Sequence, residues 1–160
     1  MIRKIAACGL ILAWGLALAV PAHAAAGLVH AKSFRVDAQA ADKRKVPILV
    51  LFTSPSCPYC DVAKRDYLVP MHRDRANRSR VIIRELTVNS NAPLTGFDGK
   101  PTTEAAFAAA HKVFVVPTVM VFTPRGEAVG EPIVGLLIPD FYYGHLEAAI
   151  DEGIARTRAP

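Results

Sequence analysis

Residues 47–60 read Pro-Ile-Leu-Val-Leu-Phe-Thr-Ser-Pro-Ser-Cys-Pro-Tyr-Cys, and this stretch decides the fold. Its first half is a continuous apolar run rich in branched side chains, which is typical of a strand buried on both faces of a sheet. Pro55 interrupts that strand, and Pro58 is well placed as the first residue of a helix. The stretch therefore predicts a buried strand, a short turn and a helix that begins directly after Cys57.

Cys57 and Cys60 lie three residues apart at the predicted start of this helix. The spacing allows a disulfide within one turn, and it leaves Cys57 facing the unpaired N–H groups of the helix end. Thiols in such motifs have pKa values of about 3.5–7.5 instead of about 8.5, so a thiolate exists at neutral pH. We therefore predict that Cys57 is the attacking nucleophile and that Cys60 is the resolving thiol.

Two other uses of this cysteine pair stay open, a structural disulfide and a metal site. A stabilising bridge gains little from closing so short a loop, and a structural zinc site needs four ligands where this chain offers two cysteines and scattered histidines. Thiolates also suit Cu(I), but no methionine cluster or nearby histidine completes such a site. We favour redox exchange by the protein's own dithiol, with no metal and no added cofactor.

The rest of the sequence predicts alternating helices and strands. In chain order the predicted elements are a helix over 31–45, the strand over 47–53, a helix from Pro58 that Pro70 ends, a strand over 81–88, a loop over 89–101, a helix over 103–112 capped by Thr102, an apolar run over 113–122 interrupted by Pro117, a strand over 128–134, and a helix over 140–155 with Phe141, Leu146, Ala149 and Ile150 on its apolar side. Parallel strands joined by helices and followed by an antiparallel hairpin predict a three-layer α/β/α sandwich with a central mixed sheet.

Residues 1–24 have the pattern of a cleavable export signal. Arg3 and Lys4 precede an uncharged apolar run, and Ala22 and Ala24 are the small residues that a signal peptidase reads before cutting at Ala25. The apolar run is shorter than the roughly 20 residues that a spanning helix needs, so a retained membrane anchor is the less favoured alternative. We predict one mature domain over 25–160, with no stable membrane anchor after cleavage.

Loss of the signal changes both the charge and the cysteine content of the chain. Arg3 and Lys4 leave with it, so the formal net charge falls from +5 to +3, a mild basicity that does not indicate a nucleic-acid partner. Cys8 leaves as well, which makes Cys57 and Cys60 each other's only partner within the chain. Exported thiols meet an oxidising compartment, so a disulfide between them is expected.

The strand and helix start over 47–60 resemble the active-site region of thioredoxin-like proteins. Val116-Pro117-Thr118 resembles the second signature of that family, in which the proline is cis and its loop lies against the reactive disulfide. Gly135 falls where the family places a glycine near the active site. The resemblance implies the thioredoxin fold, and it implies that Pro58, Tyr59, Val116, Pro117, Thr118 and Gly135 shape the active site or contact substrate. The loop over 89–101 then corresponds to an insertion.

The chain also departs from thioredoxin itself. Leu51 replaces the family's buried aspartate, the usual proton acceptor, and Ser56 replaces the tryptophan before the first cysteine. The Pro58-Tyr59 dipeptide is that of glutaredoxins, but their glutathione-binding Gly-Gly-x-x-Asp element is not found after Pro117. Tyr59 is equally suited to contact substrate or to shield the disulfide.

The chain is most similar to bacterial periplasmic thioredoxin-related proteins, including those that accompany sulfur-oxidation genes. That similarity implies a periplasmic reductant whose partners are exported proteins with disulfides and a membrane or periplasmic thiol electron donor. An oxidase or isomerase running the same couple, or a thiol-sensing module without catalysis, are the alternatives. The reduction potential decides the direction, and the sequence does not fix it.

Overall fold

A computed structural model describes residues 27–136 and 139–159, so the predicted export signal lies outside the described residues. The elements are α1 (Phe34–Arg44), β1 (Ile48–Thr53), α2 (Pro58–Val62), a π-helical segment (Ala63–Leu68), α3 (Val69–Arg73), α4 (Arg75–Arg80), β2 (Ile82–Thr87), β3 (Pro93–Thr95), β4 (Pro101–Thr103), α5 (Glu104–Ala110), β5 (Thr118–Phe122), β6 (Ala128–Val134) and α6 (Pro139–Arg158). Among these described residues, no helix is both long and apolar enough to cross a membrane.

The central sheet has the strand order β2-β1-β5-β6 in the described part of the chain. β1 runs parallel to β2 and antiparallel to β5, and β6 is antiparallel to β5. All six residues of β1 are buried, as a strand covered on both faces requires. The prediction of a thioredoxin fold with a central mixed sheet is therefore confirmed.

Two apolar layers lie on the two faces of this sheet. One contains Phe52 with Phe34 of α1 and Phe107 of α5. The other contains Leu51, the start of the π-helical segment and the inner face of α6. Successive residues of a strand point to opposite faces, so β1 supplies side chains to both layers. This double packing holds the end of β1 rigidly, and the residues after that end carry the cysteines.

The segment over 89–101 is not a loop, because β3 and β4 within it pair as an antiparallel hairpin. Leu94 is buried, and the ring of Phe97 stacks on Phe34 with 4.9 Å between centroids. Gly99 has φ +82°, a conformation that favours glycine in the tight turn between the two strands. The insertion therefore contributes to the core over α1, which its Asn, Pro and Gly content did not indicate.

Pro70 does not end the helix that begins at Pro58, so that prediction is wrong. The helical run continues through the π-helical segment into α3, where Pro70 occupies the first turn, and it ends at Arg73. Within the segment the Val69 N–H donates to the carbonyl of Lys64, five residues back. A π turn is wider than an α turn, which relieves the clash of a proline ring with the carbonyl four residues before it.

Three further details differ from the sequence predictions. The side chain of Thr103, not Thr102, caps α5 by accepting the N–H of Ala106 at 3.1 Å. Residues 113–117 precede β5 and are not part of it, because the strand begins only after Pro117. Phe141 is 65% exposed and Tyr142 is buried in its place. Tyr142 lies four and eight residues before the buried Leu146 and Ile150, which is the spacing of one helix face.

Candidate functional site

Strands β1, β5 and β6 each begin or terminate at one end of the sheet, and the predicted site residues lie next to these strand termini. Phe52 of β1 pairs with Thr118 of β5, and Thr118 pairs with Val134 of β6. The cysteine turn therefore follows β1 at the same end of the sheet at which Pro117 precedes β5 and Gly135 follows β6. The Gly135 N–H donates to the Pro117 carbonyl at 2.7 Å, which fixes the second and third of these segments to each other.

Cys57 and Cys60 form a disulfide, with 5.2 Å between their Cα atoms. Cys57 is the N-cap of α2, and its Sγ accepts the backbone N–H of Cys60 at 3.1 Å. Ser56 has φ 59°, so the chain makes a sharp turn just before the cap. The position of Cys57 at a helix start thus follows the sequence prediction, and Pro58 occupies the first turn.

The two sulfur-bearing residues differ in their access to solvent. Cys57 is partly exposed, whereas Cys60 is only 1% exposed. An incoming partner can therefore reach Cys57 but not Cys60. A thiolate at Cys57 would gain from the free N–H groups and the positive end of the helix, since α2, the π-helical segment and α3 form one continuous run.

The Val116–Pro117 peptide bond is cis. Pro117 is buried, and Thr118 is only 2% exposed with its hydroxyl donating to the carbonyl of Val115 at 2.7 Å. Val116 is partly exposed beside them. The loop before β5 is therefore held by its own hydrogen bonds at the edge where the disulfide lies.

Exposed apolar side chains cluster at this edge of the molecule. Tyr59 is 65% exposed, Phe114 81%, Val115 55% and Val134 47%. We call these four residues the apolar rim. Sequence reasoning singled out only Tyr59 of the four. Phe114 and Val115 lie in an apolar run that begins four residues before Pro117, whereas Val134 is the last residue of β6.

A groove of about 140 Å³ runs beside the rim, between the loop over 111–116 and the edge strand β6. Val113, Phe114, Pro132 and Val134 line it, together with His111. Burial lowers the pKa of His111, whose ring packs against Phe107 and Phe122. Lys112 also lines the groove and is its cationic side chain, so the groove presents a largely apolar wall with one positive charge, which suits an apolar side chain of a bound polypeptide.

Among the residues that the structure describes, no three His, Cys, Asp or Glu side chains are grouped so as to hold a metal ion. Leu51, at the position of the absent aspartate, is fully buried and pairs with Glu85 of β2. The chemistry that the described geometry supports is thiol exchange at Cys57.

A family model described as a thioredoxin-like domain matches residues 34–150. No curated protein matches the chain. The matched range contains the cysteine turn, the cis-proline loop and most of α6, so the match covers every part of the site described above.

Solved structures of thioredoxins are similar to the chain in fold. The thioredoxin of Malassezia sympodialis, Mala s 13, is 16% identical with a TM-score of 0.53, covering 81% of this chain and 95% of that one. Mitochondrial thioredoxin 3 of Saccharomyces cerevisiae is 16% identical with a TM-score of 0.51, covering 78% and 93%. The periplasmic thioredoxin SoxS of Paracoccus pantotrophus is 18% identical with a TM-score of 0.46, covering 66% and 97%. At these identities the likeness concerns the fold alone.

Proposed function

The chain belongs to the thioredoxin-like domain family, and we propose that it is an exported thiol–disulfide oxidoreductase that reduces disulfides of other exported proteins. The observation that carries this proposal is the disulfide itself, in which a partly exposed Cys57 caps a helix and a buried Cys60 lies one turn inside. In such a disulfide a partner can reach the sulfur of Cys57 but not that of Cys60. A purely structural bridge has no need of such asymmetry.

The reaction begins from the reduced protein. The Cys57 thiolate attacks one sulfur of the client disulfide, which forms a mixed disulfide and releases the client's other sulfur as a thiolate. The Cys60 thiol then loses its proton and attacks Cys57, which restores the Cys57–Cys60 bond and releases the second client thiolate. Two electrons pass to the client, and the protein must recover them from a thiol donor before the next turnover.

The apolar rim favours a polypeptide as the substrate rather than a small disulfide molecule. Tyr59, Phe114 and Val134 expose apolar surface at the end of the sheet that carries Cys57, the sulfur of the disulfide that a partner can reach. Exposed apolar patches on a protein of this size commonly mark contact surfaces for other proteins. We therefore assign client contacts to the rim, with Val116, Pro117, Thr118 and Gly135 fixing the shape of the site behind it.

The compartment and the electron donor belong to the proposal as well. The pattern of residues 1–24 supports export, and the similarity to periplasmic thioredoxin-related proteins supports the bacterial periplasm. There a membrane or periplasmic thiol protein would supply the electrons. The same couple could instead oxidise clients, and the reduction potential discriminates between the two directions.

Replacement of the attacking cysteine tests the function. The Cys57→Ser variant should lose the reduction of insulin disulfides, because serine forms no mixed disulfide. Turnover is followed by insulin precipitation with dithiothreitol as the donor. Cys60→Ala is the matched control, since it keeps the nucleophile and should accumulate a covalent complex with the client. Turnover by Cys57→Ser at the wild-type rate would exclude the proposed function.

A further inference from the structure

Four ionisable side chains form a cluster at the β2 edge of the sheet, which we call the acid–base cluster: Lys64, Glu85, His30 and Glu104. Lys64 Nζ lies 3.4 Å from Glu85 Oε2. His30 Nδ1 lies 3.8 Å from Glu85 Oε1, and His30 Nε2 is hydrogen-bonded to Glu104 Oε1. The cluster runs from the helix that carries Cys60 to a histidine that is 42% exposed.

The backbone fixes Glu85 and His30 next to each other. The Glu85 N–H donates to the Val29 carbonyl at 3.0 Å, and the Glu85 carbonyl accepts the Ala31 N–H at 2.8 Å. The segment that contains His30 therefore runs alongside β2 as a short extra strand, with His30 opposite Glu85. The histidine does not depend on a flexible loop for its position.

Glu85 faces the layer that contains Cys60's helix. It lies two residues after Ile83, and Ile83 packs with Leu51 and with Ala63 of the π-helical segment. Residues two apart in a strand share a face. Lys64, the partner of Glu85, lies four residues after Cys60 in the same helical run, about one turn further along. The cluster thus begins one helical turn from the buried thiol.

Two carboxylate oxygens of the cluster are buried without a hydrogen-bond partner among the described residues. They are Glu85 Oε2 and Glu104 Oε2. A buried carboxylate oxygen left unpaired is costly, and in a native protein it calls for an explanation such as a catalytic role or a water molecule. Glu85 Oε2 has Lys64 nearby but lacks hydrogen-bond geometry to it. This oxygen therefore faces the Lys64 ammonium and accepts no hydrogen bond among the described residues.

The thiol beside this cluster needs a proton acceptor. Cys60 must lose its proton before it can attack Cys57, yet it is 1% exposed, so bulk water does not reach it. The neighbouring β1 position is Leu51, which accepts no proton. Of the ionisable residues in the turn that follows Cys60, Asp61 is exposed to solvent and Lys64 is a donor.

We propose that Glu85 accepts the proton that Cys60 loses and that His30 passes it on to solvent, with Lys64 and Glu104 holding the two groups in place. The inference rests on the proposed function. The Cys60 thiol and the Glu85 carboxylate become a thiolate and a carboxylic acid. The thiolate attacks Cys57 and expels the client thiolate. Glu85 then gives its proton to the His30 imidazole, which releases it to water, so the carboxylate is restored for the next turnover.

A two-phase experiment separates this step from the first attack. The reduced protein is mixed in a stopped-flow instrument with a chromogenic aryl disulfide, which releases one coloured thiolate when Cys57 attacks and a second when Cys60 resolves. Glu85→Gln should leave the first phase unchanged and slow the second about 100-fold at neutral pH, the lower end of what a positioned proton acceptor contributes. The slowed phase should accelerate with rising pH, because hydroxide must replace the carboxylate.

Conservative variants and a matched control distinguish proton transfer from structural damage. Glu85→Asp should recover part of the rate. His30→Gln, at an exposed side chain, should make the second phase depend on added imidazole, and it carries the test if Glu85→Gln does not fold. Glu147→Gln is the control, because Glu147 is also half-buried, ion-paired to Arg80 and has an unpartnered oxygen, but lies on α6.

The possible outcomes separate the relay from the function. An unchanged second phase in Glu85→Gln overturns the relay, and so does a slowing that is independent of pH and equal in Glu85→Asp. In both cases the first phase still demonstrates thiol exchange. If the wild-type protein shows no first phase at all, the proposed function fails and the relay fails with it.

Discussion

The buried side chain of Tyr142 makes the stability of the fold depend on pH in the alkaline range. It is 3% exposed in the layer with Leu146, its ring meets Tyr67 edge-on at 4.9 Å, and its hydroxyl has no hydrogen-bond partner among the described residues. Burial raises the pKa of Tyr142 to about 12. The folded protein therefore holds this proton more tightly than the unfolded chain does, where the pKa is about 10.

Stability should consequently fall at alkaline pH. The contribution of Tyr142 is complete below pH about 10 and is lost as the pH rises towards about 12, for a total of roughly 2–3 kcal/mol. Tyr142→Phe should abolish this loss and stay within about 1 kcal/mol of wild type at neutral pH, since it removes an unpaired hydroxyl. Urea denaturation at a series of pH values measures both effects. Tyr143→Phe, at an exposed neighbour, should keep the alkaline loss, and an equal loss in all three proteins would contradict the assignment.

Among the secondary-structure elements, the β3–β4 hairpin could not be predicted from the sequence. Its two strands are short, three residues each, and their composition is that of a loop. What orders them is long-range packing, in which Phe97 contacts Phe34 of α1 and Phe122 of β5. Local propensity is a weak guide to strands because side-chain packing decides them.

The hairpin should therefore contribute to global stability. Phe97→Ala should destabilise the protein by about 2 kcal/mol, less than the roughly 3–5 kcal/mol typical of a fully buried phenylalanine, because Phe97 is half-buried. Phe114→Ala is the matched control at an 81% exposed rim residue and should change the unfolding free energy by less than about 0.5 kcal/mol. Chemical denaturation gives both numbers. A neutral Phe97→Ala would mean that the hairpin is only appended to the domain.

The same pair of variants should respond in the opposite order in a client assay. Phe114→Ala removes apolar surface from the rim and should raise the KM for reduction of insulin several-fold, with little change in stability. Phe97→Ala leaves the rim intact and should leave that KM unchanged at temperatures where it is folded. An unchanged KM in Phe114→Ala would show that the rim is not part of the client-binding surface.

For the molecule as a whole, the sequence predicted the parts that local patterns determine. The sequence predicts the buried run over 48–53 and the strand β6 to within a residue, and Pro58 alone predicts the position of Cys57 at a helix start. The continuation past Pro70, the hairpin and the rim depend on distant contacts or on a rare helix geometry. No window of sequence around those residues carries that information, so the acid–base cluster, which joins residues 30, 64, 85 and 104, emerged only from the folded chain.

The reduction potential is likewise a property of the whole fold. Among the described residues, the hydrogen bond that Cys57 Sγ accepts comes from a backbone N–H, and no cationic side chain pairs with it. Backbone N–H groups at a helix end stabilise a thiolate less than they would together with a cationic side chain, and a less stabilised thiolate gives a more reducing couple. We expect a potential close to the about −270 mV of thioredoxin and well below the about −120 mV of a strong oxidant. Equilibration with glutathione buffers measures it, and a value at the upper end would reverse the proposed direction.

The edge strand β6 bears on how clients are held. Its register with β5 shifts between Val119 and Val121, and it contains Gly130 with φ +63° and Pro132, which has no N–H to donate. Irregularities of this kind make an open strand a poor template for a further strand, which is how natural sheets resist aggregation. An extended client therefore gains little by lengthening this sheet. A client bound beside the disulfide would then leave without breaking a ladder of backbone hydrogen bonds to this strand.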